Sequence, residues 1–161
     1  MDRVIDGAVV VVALVIVIPL MVWAWRRRRA RHAVYGVVPT TPAQLGSTRA
    51  EGDALYLATT PQGKQYERLT VPGLGFRART HVTVADAGIV MPIPGHDDVF
   101  IPAAEIDDVG RASWTIDRGI EPNGLVRVAW HLGGLPVESF FRFDDDDAPV
   151  VRAASSLVVA R

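Results

Sequence analysis

From Gly7 to Trp25 the chain runs 19 residues without a charged side chain, and Val, Ile, Leu and Ala dominate the run. As a helix it would be about 28 Å long at 1.5 Å per residue, the thickness of a bilayer's hydrocarbon core. A buried core helix is the other fate open to such a segment. Core helices of small proteins, however, are apolar on one stripe, and this run is apolar all round. Pro19 would damage a soluble helix but is tolerated in a span, where neighbouring groups satisfy the freed carbonyl. Trp23 and Trp25 stand at the end, where amphipathic rings favour the membrane interface, and Arg26, Arg27, Arg28, Arg29 and Arg31 follow at once. Such a block resists translocation. The expectation is a single-pass protein of the cell inner membrane, N-terminus outside and the rest of the chain in the cytoplasm. A cleaved signal peptide would carry its charge before the apolar run; here the order is reversed. Juxtamembrane arginines also attract anionic headgroups without forming a specific lipid site.

The 161 residues, 49% of them hydrophobic, suit one small domain plus this appendage. Charge is polarised along the chain. Residues 1–31 hold six arginines against Asp2 and Asp6, a net +4, whereas residues 32–161 hold eleven bases against sixteen acids, a net −5. The larger part therefore lacks the basic surface that phosphate neutralisation requires, which excludes bulk nucleic-acid binding. The absence of cysteine excludes disulfides, thiol nucleophiles, iron–sulfur clusters and cysteine-ligated zinc. Residues 32–52 lose all periodicity and collect Pro39, Thr40, Thr41, Pro42, Gly46, Ser47 and Thr48, the composition of a tether. The expected organisation is an anchor over 1–31, a linker over 32–52 and one domain over 53–161.

Within that domain strand signals follow at short intervals: Ala54 to Thr59, His81 to Ala85, Ile89 to Ile93, Val99 to Ile101, Ile106 to Ser113, a short one at Trp114 to Ile116, Leu125 to Leu132 and Val137 to Phe143. Asp86-Ala87-Gly88 and Gly133-Gly134 read as hairpin turns. The cleanest alternation puts Val126, Val128, Trp130 and Leu132 on one face of a strand with one buried side. After Asp144 to Asp147 the period turns helical, with Val150, Val151, Ala154, Leu157 and Val158 on one side. One of the aspartates should cap this helix, and Arg161 suits its negative end.

About seven antiparallel strands closed by a C-terminal helix is the order of a pleckstrin-homology-like (PH-like) barrel. The segments GLGFRARTHVTVADAGI (Gly73 to Ile89), VFIPAAEI (Val99 to Ile106), LVRVAWHLGG (Leu125 to Gly134) and FFRF (Phe140 to Phe143), with the N-terminal span, resemble the small membrane-anchored bacterial PH-like domain proteins of high-GC Gram-positive bacteria, some of them labelled transporters or export proteins. The sequence departs from that pattern at Ser139-Phe140, where similar sequences tend to have Thr-Gly. The resemblance implies a mainly-β barrel, no catalytic signature and no cofactor. Phosphoinositide-binding members of the wider superfamily use bases in the loop joining the first two strands; here that loop offers Lys64, Arg68, Arg77 and Arg79. The domain's net −5 would be repelled by an anionic leaflet.

The residues able to carry chemistry read more simply as turns and core. His96-Asp97-Asp98, Asp107-Asp108 and Asp144 to Asp147 lack the staggered spacing of a calcium loop, and aspartate collects in turns because its side chain bonds the local backbone. His81, His96 and His131 include no spaced pair on one helix, so no metal is expected. Ser113, Ser139, Ser155 and Ser156 sit in no nucleophile-elbow context. Gly73-Leu74-Gly75 lacks the flanking strand and helix of a dinucleotide loop and reads as a turn. Trp114 and Trp130 are read as core. The expected function is a non-catalytic module that binds another protein. An anionic-lipid or small-ligand domain is the alternative, and an enzyme would need Asp97 or Asp107 to meet His81 or His131 in one cleft.

Overall fold

The computed structural model describes residues 2–64, 66–112 and 124–158, and within the first helix it describes side chains over residues 12–27. The chain forms two compact units, Met1–Val34 and Tyr35–Arg161. The first is helix α1 (Asp2–His32), which carries Pro19 in its interior. Every side chain from residue 12 to residue 27 is exposed. Among the described residues no helix is long and apolar enough to cross a membrane.

The second unit is a seven-stranded antiparallel sheet followed by a helix. Its strands are β1 (Thr48–Pro61), β2 (Ala78–Ala85), β3 (Gly88–Met91), β4 (Val99–Pro102), β5 (Ile106–Ala112), β6 (Leu125–Leu132) and β7 (Leu135–Phe143), with α2 (Ala148–Ser155) after them. The strand order is β4-β3-β2-β1-β7-β6-β5. The expected closed barrel is therefore corrected to an open sheet: β4 and β5 are its edges, and no pairing joins them among the described residues. Strand β4 is only four residues long and ends on Pro102, a residue with no N–H to give to a ladder. The strand expected at Trp114 to Ile116, together with Ser113 and Arg161, falls outside the described residues.

Side chains from all seven strands and α2 nevertheless meet in one core, including Tyr56, Val82, Met91, Ile101, Ile106, Trp130, Phe141 and Val150. Strand β6 supplies Val126, Val128, Trp130 and Leu132 to it, as the alternation predicts. Its other face is not simply exposed, because Leu125 and Ala129 are buried as well. Leu125 joins Phe140 and Leu57 in a second, smaller cluster. Since side chains alternate along a strand, Leu125 and Phe140 lie on the face opposite Val126 and Phe141. Leu57 reaches that cluster through a bulge: the β1–β7 register passes from Tyr56↔Phe141 to Ala58↔Phe140, leaving Leu57 unopposed.

Several boundaries move, those at β1 and α2 with consequences for packing. Strand β1 starts at Thr48 rather than Ala54, and Tyr35 and Val38 pack against the core, so the stretch read as a free linker is largely a bound strap. Asp86, in the β2–β3 turn, holds it: Ser47 donates its N–H to Asp86 Oδ2 at 2.8 Å and Arg49 Nε donates to Asp86 Oδ1 at 2.8 Å. Helix α2 ends at Ser155, although Leu157 is still buried beyond it through a turn from its N–H to the Ala154 carbonyl. Asp147 does not cap the helix, because Arg111 Nη2 takes its carboxylate; Asp146 Oδ1 accepts the Ala148 N–H instead. Both hairpins form as expected, with Gly133 and Gly134 at φ 58° and 77° in the β6–β7 turn.

Candidate functional site

Two Pro-Gly dipeptides shape a groove on the second unit. In Val71-Pro72-Gly73-Leu74 the Leu74 N–H donates to the Val71 carbonyl at 3.0 Å and Gly73 has φ 81°. In Ile93-Pro94-Gly95-His96 the His96 N–H donates to the Ile93 carbonyl at 3.0 Å and Gly95 has φ 80°. Proline at the second position and a positive-φ glycine at the third define a type II turn, so both corners follow from local sequence. The first brings Gly73 so close to β4 that a Cβ there would lie 2.9 Å from Val99 Cγ2. The second turns out His96, Asp97 and Asp98, all exposed. The strap supplies the remaining wall. Val38 and Thr41 each precede a proline, which favours extended backbone. Together Val37 to Thr41, Pro72, Gly73 and His96 to Val99 line a groove of about 550 Å³.

The groove's lining is apolar at Val37, Val38, Pro39, Pro72 and Val99 and acidic at Asp97 and Asp98. Asp97 and Asp98 face no cation among the described residues, while Asp86, Asp108, Glu138, Asp144 and Asp147 are each held by an arginine. Thr41 Oγ1 is buried with no hydrogen-bond partner.

The basic residues of the β1–β2 connection do not converge on this groove. Lys64 Nζ lies 3.6 Å from Glu67 Oε2, and Arg79 Nη1 donates to Asp144 Oδ2 at 2.6 Å. Arg79 borders a separate cavity of about 300 Å³ with Asp53, Ala54, Thr80 and Asp144. Arg68 is half-buried and Arg77 exposed. The same connection displays Tyr66 and Phe76, 71% and 76% exposed. In α1, Trp23 and Trp25 are exposed, and the Arg27 guanidinium stands 5.2 Å from the Trp23 ring centre, while Arg26 is exposed beside it. Arg28, Arg29 and Arg31 continue the same helix.

The histidines separate. His81 Nδ1 lies 2.7 Å from Asp53 Oδ1 and its Nε2 3.6 Å from Glu51 Oε2; the Asp53 hydrogen bond raises its pKa above the ordinary 6.5. His131 Nδ1 comes within 2.9 Å of Asp107 Oδ2 but off the hydrogen-bonding direction. Asp107 and His131 are thus brought together, on neighbouring strands β5 and β6, whereas His96 and Asp97 lie at the groove. Ser139 is buried, accepting from Trp130 Nε1, and Ser156 Oγ donates to the Ala153 carbonyl on the surface. Among the described residues no three His, Asp or Glu side chains gather closely enough to hold a metal ion.

Trp130 belongs to the core, as expected, and starts a polar chain that no local pattern signals. Tyr56, Thr59 and Ser139 continue that chain to the Leu74 carbonyl, so Gly73-Leu74-Gly75 is a buried turn tied to β1 rather than a phosphate loop. Burial pushes the Tyr56 phenol far above its usual range and keeps it protonated, while its bond with Thr59 and the charge of Arg68 pull the other way.

No curated protein matches the sequence. A family model described as bacterial PH domain-like matches residues 35–155, from the first residue of the second unit to the last residue of α2. The chain belongs to the bacterial PH domain-like family.

Proposed function

We propose that this chain is a single-pass membrane protein presenting a non-catalytic PH-like module, on the cytoplasmic side, to a protein partner. The observation that carries the reading is the open sheet, whose β4 and β5 edges pair with no further strand among the described residues, together with the groove at the start of β4. Sheet edges and apolar grooves recognise extended segments through backbone pairing and side-chain pockets. Anchoring is supported by the 19-residue uncharged run, the tryptophans at its end and the arginines after it. An anchored module meets an anchored partner at high effective concentration, so each contact can be weak.

The lipid alternative has one observation in its favour, the exposed Tyr66 and Phe76 interleaved with Lys64, Arg68 and Arg77. Against it, Lys64 and Arg79 are already satisfied by carboxylates, and the 32–161 region carries net −5. An enzyme reading has the Asp107–His131 pair, but Ser139 and Ser156 stand in other roles.

Topology is tested first. The sequence has no cysteine, so Ser155→Cys gives a single reporter on an exposed position. In intact cells it should resist an impermeant thiol reagent and react after permeabilisation; ready labelling of intact cells would overturn the orientation.

A further inference from the structure

We infer that the groove between the strap, the Pro72-Gly73 turn and the His96 to Val99 segment docks an extended peptide segment of another protein, one that alternates apolar residues with lysine or arginine. The inference rests on the protein-binding reading above and adds the site and the partner's chemistry.

Three observations converge on it. Val37, Val38, Pro39, Pro72 and Val99 give the groove apolar walls, and Val37 is 84% exposed, a hydrophobic side chain left at the rim of a concave surface. Asp97 and Asp98 stand at the same rim with no cation among the described residues. The third concerns the backbone. From Val37 to Thr41 the strap forms no regular element, and no backbone hydrogen bond engages that stretch among the described residues; further along, the Leu45 carbonyl accepts from Ala87. Thr41 Oγ1 is likewise buried and unpartnered at the groove.

Each observation selects a property of the occupant. Unpaired backbone groups on extended chain call for another extended chain, because backbone donors and acceptors are satisfied most fully by a neighbouring strand. Apolar walls call for branched or aliphatic side chains at alternate positions, since successive residues of a strand point to opposite sides. Two carboxylates at the rim call for a cation on an aliphatic stem, and lysine and arginine lay such stems along apolar surface while the charged head stays in water. An acidic segment is repelled at the same rim. A bare metal ion is disfavoured by the lack of a converging third ligand. The volume of about 550 Å³ lies within the range of pre-formed binding clefts.

The test uses the full-length chain in non-ionic detergent and fluorescence anisotropy with two labelled heptapeptides, one alternating valine and arginine and one with glutamate in place of each arginine. The arginine peptide should bind and the glutamate peptide should not. The Asp97→Asn, Asp98→Asn pair should weaken the arginine peptide about three- to tenfold, as expected for the loss of two exposed ion pairs. All three substitution sites are exposed, so folding is not at stake; Val37→Lys, which sets a tethered cation at the rim, should weaken it at least as much. Equal binding of both peptides, or arginine-peptide binding that none of these substitutions changes, overturns the inference. So does a protein partner cross-linked in native membranes whose capture is indifferent to all three substitutions, and that last result would leave the protein-binding reading standing.

Discussion

Trp130 donates its indole N–H to Ser139 Oγ at 2.9 Å, at the head of a buried chain of hydrogen bonds whose direction is set from its other end. That end is fixed, since Tyr56 donates to the Leu74 carbonyl at 2.9 Å. Tyr56 has a single hydroxyl proton, so in the 2.7 Å contact with Thr59 it is Thr59 that donates. Thr59 then has none left, and Ser139 must donate in its own 2.7 Å contact with Thr59. The chain runs Trp130, Ser139, Thr59, Tyr56, Leu74, each hydroxyl giving once and receiving once. It fastens β6, β7 and β1 to the turn that walls the groove.

Ser139→Ala should therefore cost about 1–3 kcal/mol, because it orphans both the Trp130 N–H and an acceptor on Thr59 in the core. Tyr56→Phe should cost a similar amount. Urea denaturation of the single and double variants checks this; strict additivity would mean that the hydroxyls act independently rather than as one chain.

Gly88→Ala should be far more damaging than Gly63→Ala. Both glycines have positive φ, but a Cβ at Gly88 would lie 2.1 Å from the Ile101 carbonyl oxygen, whereas one at Gly63 meets nothing within 4 Å. Gly63→Ala should cost about 1–2 kcal/mol from backbone strain alone. Gly88→Ala should exceed it by several kcal/mol or prevent folding, since β3 would be pushed off β4. Thermal melts of the two variants compare them directly.

Arg127 Nη1 donates to the buried Glu138 at 2.8 Å, and its Nη2 pairs with Asp108. The side chain of Glu138 is 8% exposed and that of Asp108 58%. Arg127→Ala strands the buried carboxylate and should cost about 2–3 kcal/mol, while Asp108→Ala should cost less than about 1 kcal/mol. Equal losses by chemical denaturation would contradict the assignment of the two roles.

A fragment starting at Tyr35 should unfold in one cooperative transition, and one starting at Ala50 should melt at a lower temperature. The shorter piece loses Tyr35 and Val38 from the core, and both Ser47 and Arg49 from Asp86. Calorimetry of the two fragments settles the point, and identical melting temperatures would mean that the strap contributes nothing.

Much of the fold was legible in local sequence. Strand β6 shows strict alternation, the Gly133-Gly134 turn has the required glycines, and the change of period after Asp147 marks α2. What local sequence did not carry was long-range. The strap reads as a tether because Pro39, Thr40, Thr41 and Pro42 have linker composition; nothing nearby signals that Asp86 holds Ser47 and Arg49 from 39 and 37 residues away. The groove was hidden for the same reason. Both Pro-Gly turns are visible in the sequence, but only the strand pairing shows that Gly73 packs on Val99 and that the strap lies beside them. Whether β4 meets β5 likewise depends on sheet curvature, which alternation does not encode.

His81 offers a pH test. Its hydrogen bond to Asp53 raises its pKa, with Glu51 adding to the rise. The folded state thus favours protonated His81, so the contribution to stability is present below the ordinary value of 6.5 and is lost as pH rises through the folded-state value. By NMR the His81 ring should titrate above 6.5, and Asp53→Asn should bring the midpoint down. A midpoint unmoved by Asp53→Asn would contradict the pairing.

Protein rather than lipid recognition is tested most directly by photo-crosslinking of the full-length chain in native membranes, with a photoreactive side chain placed at Val37 in the groove and, separately, at Tyr66 in the β1–β2 connection. Both positions are exposed, 84% and 71%. The account predicts a reproducible protein adduct from Val37. Phospholipid adducts from Tyr66, abolished when Arg77 and Arg79 are replaced, with no protein adduct from Val37, would contradict it.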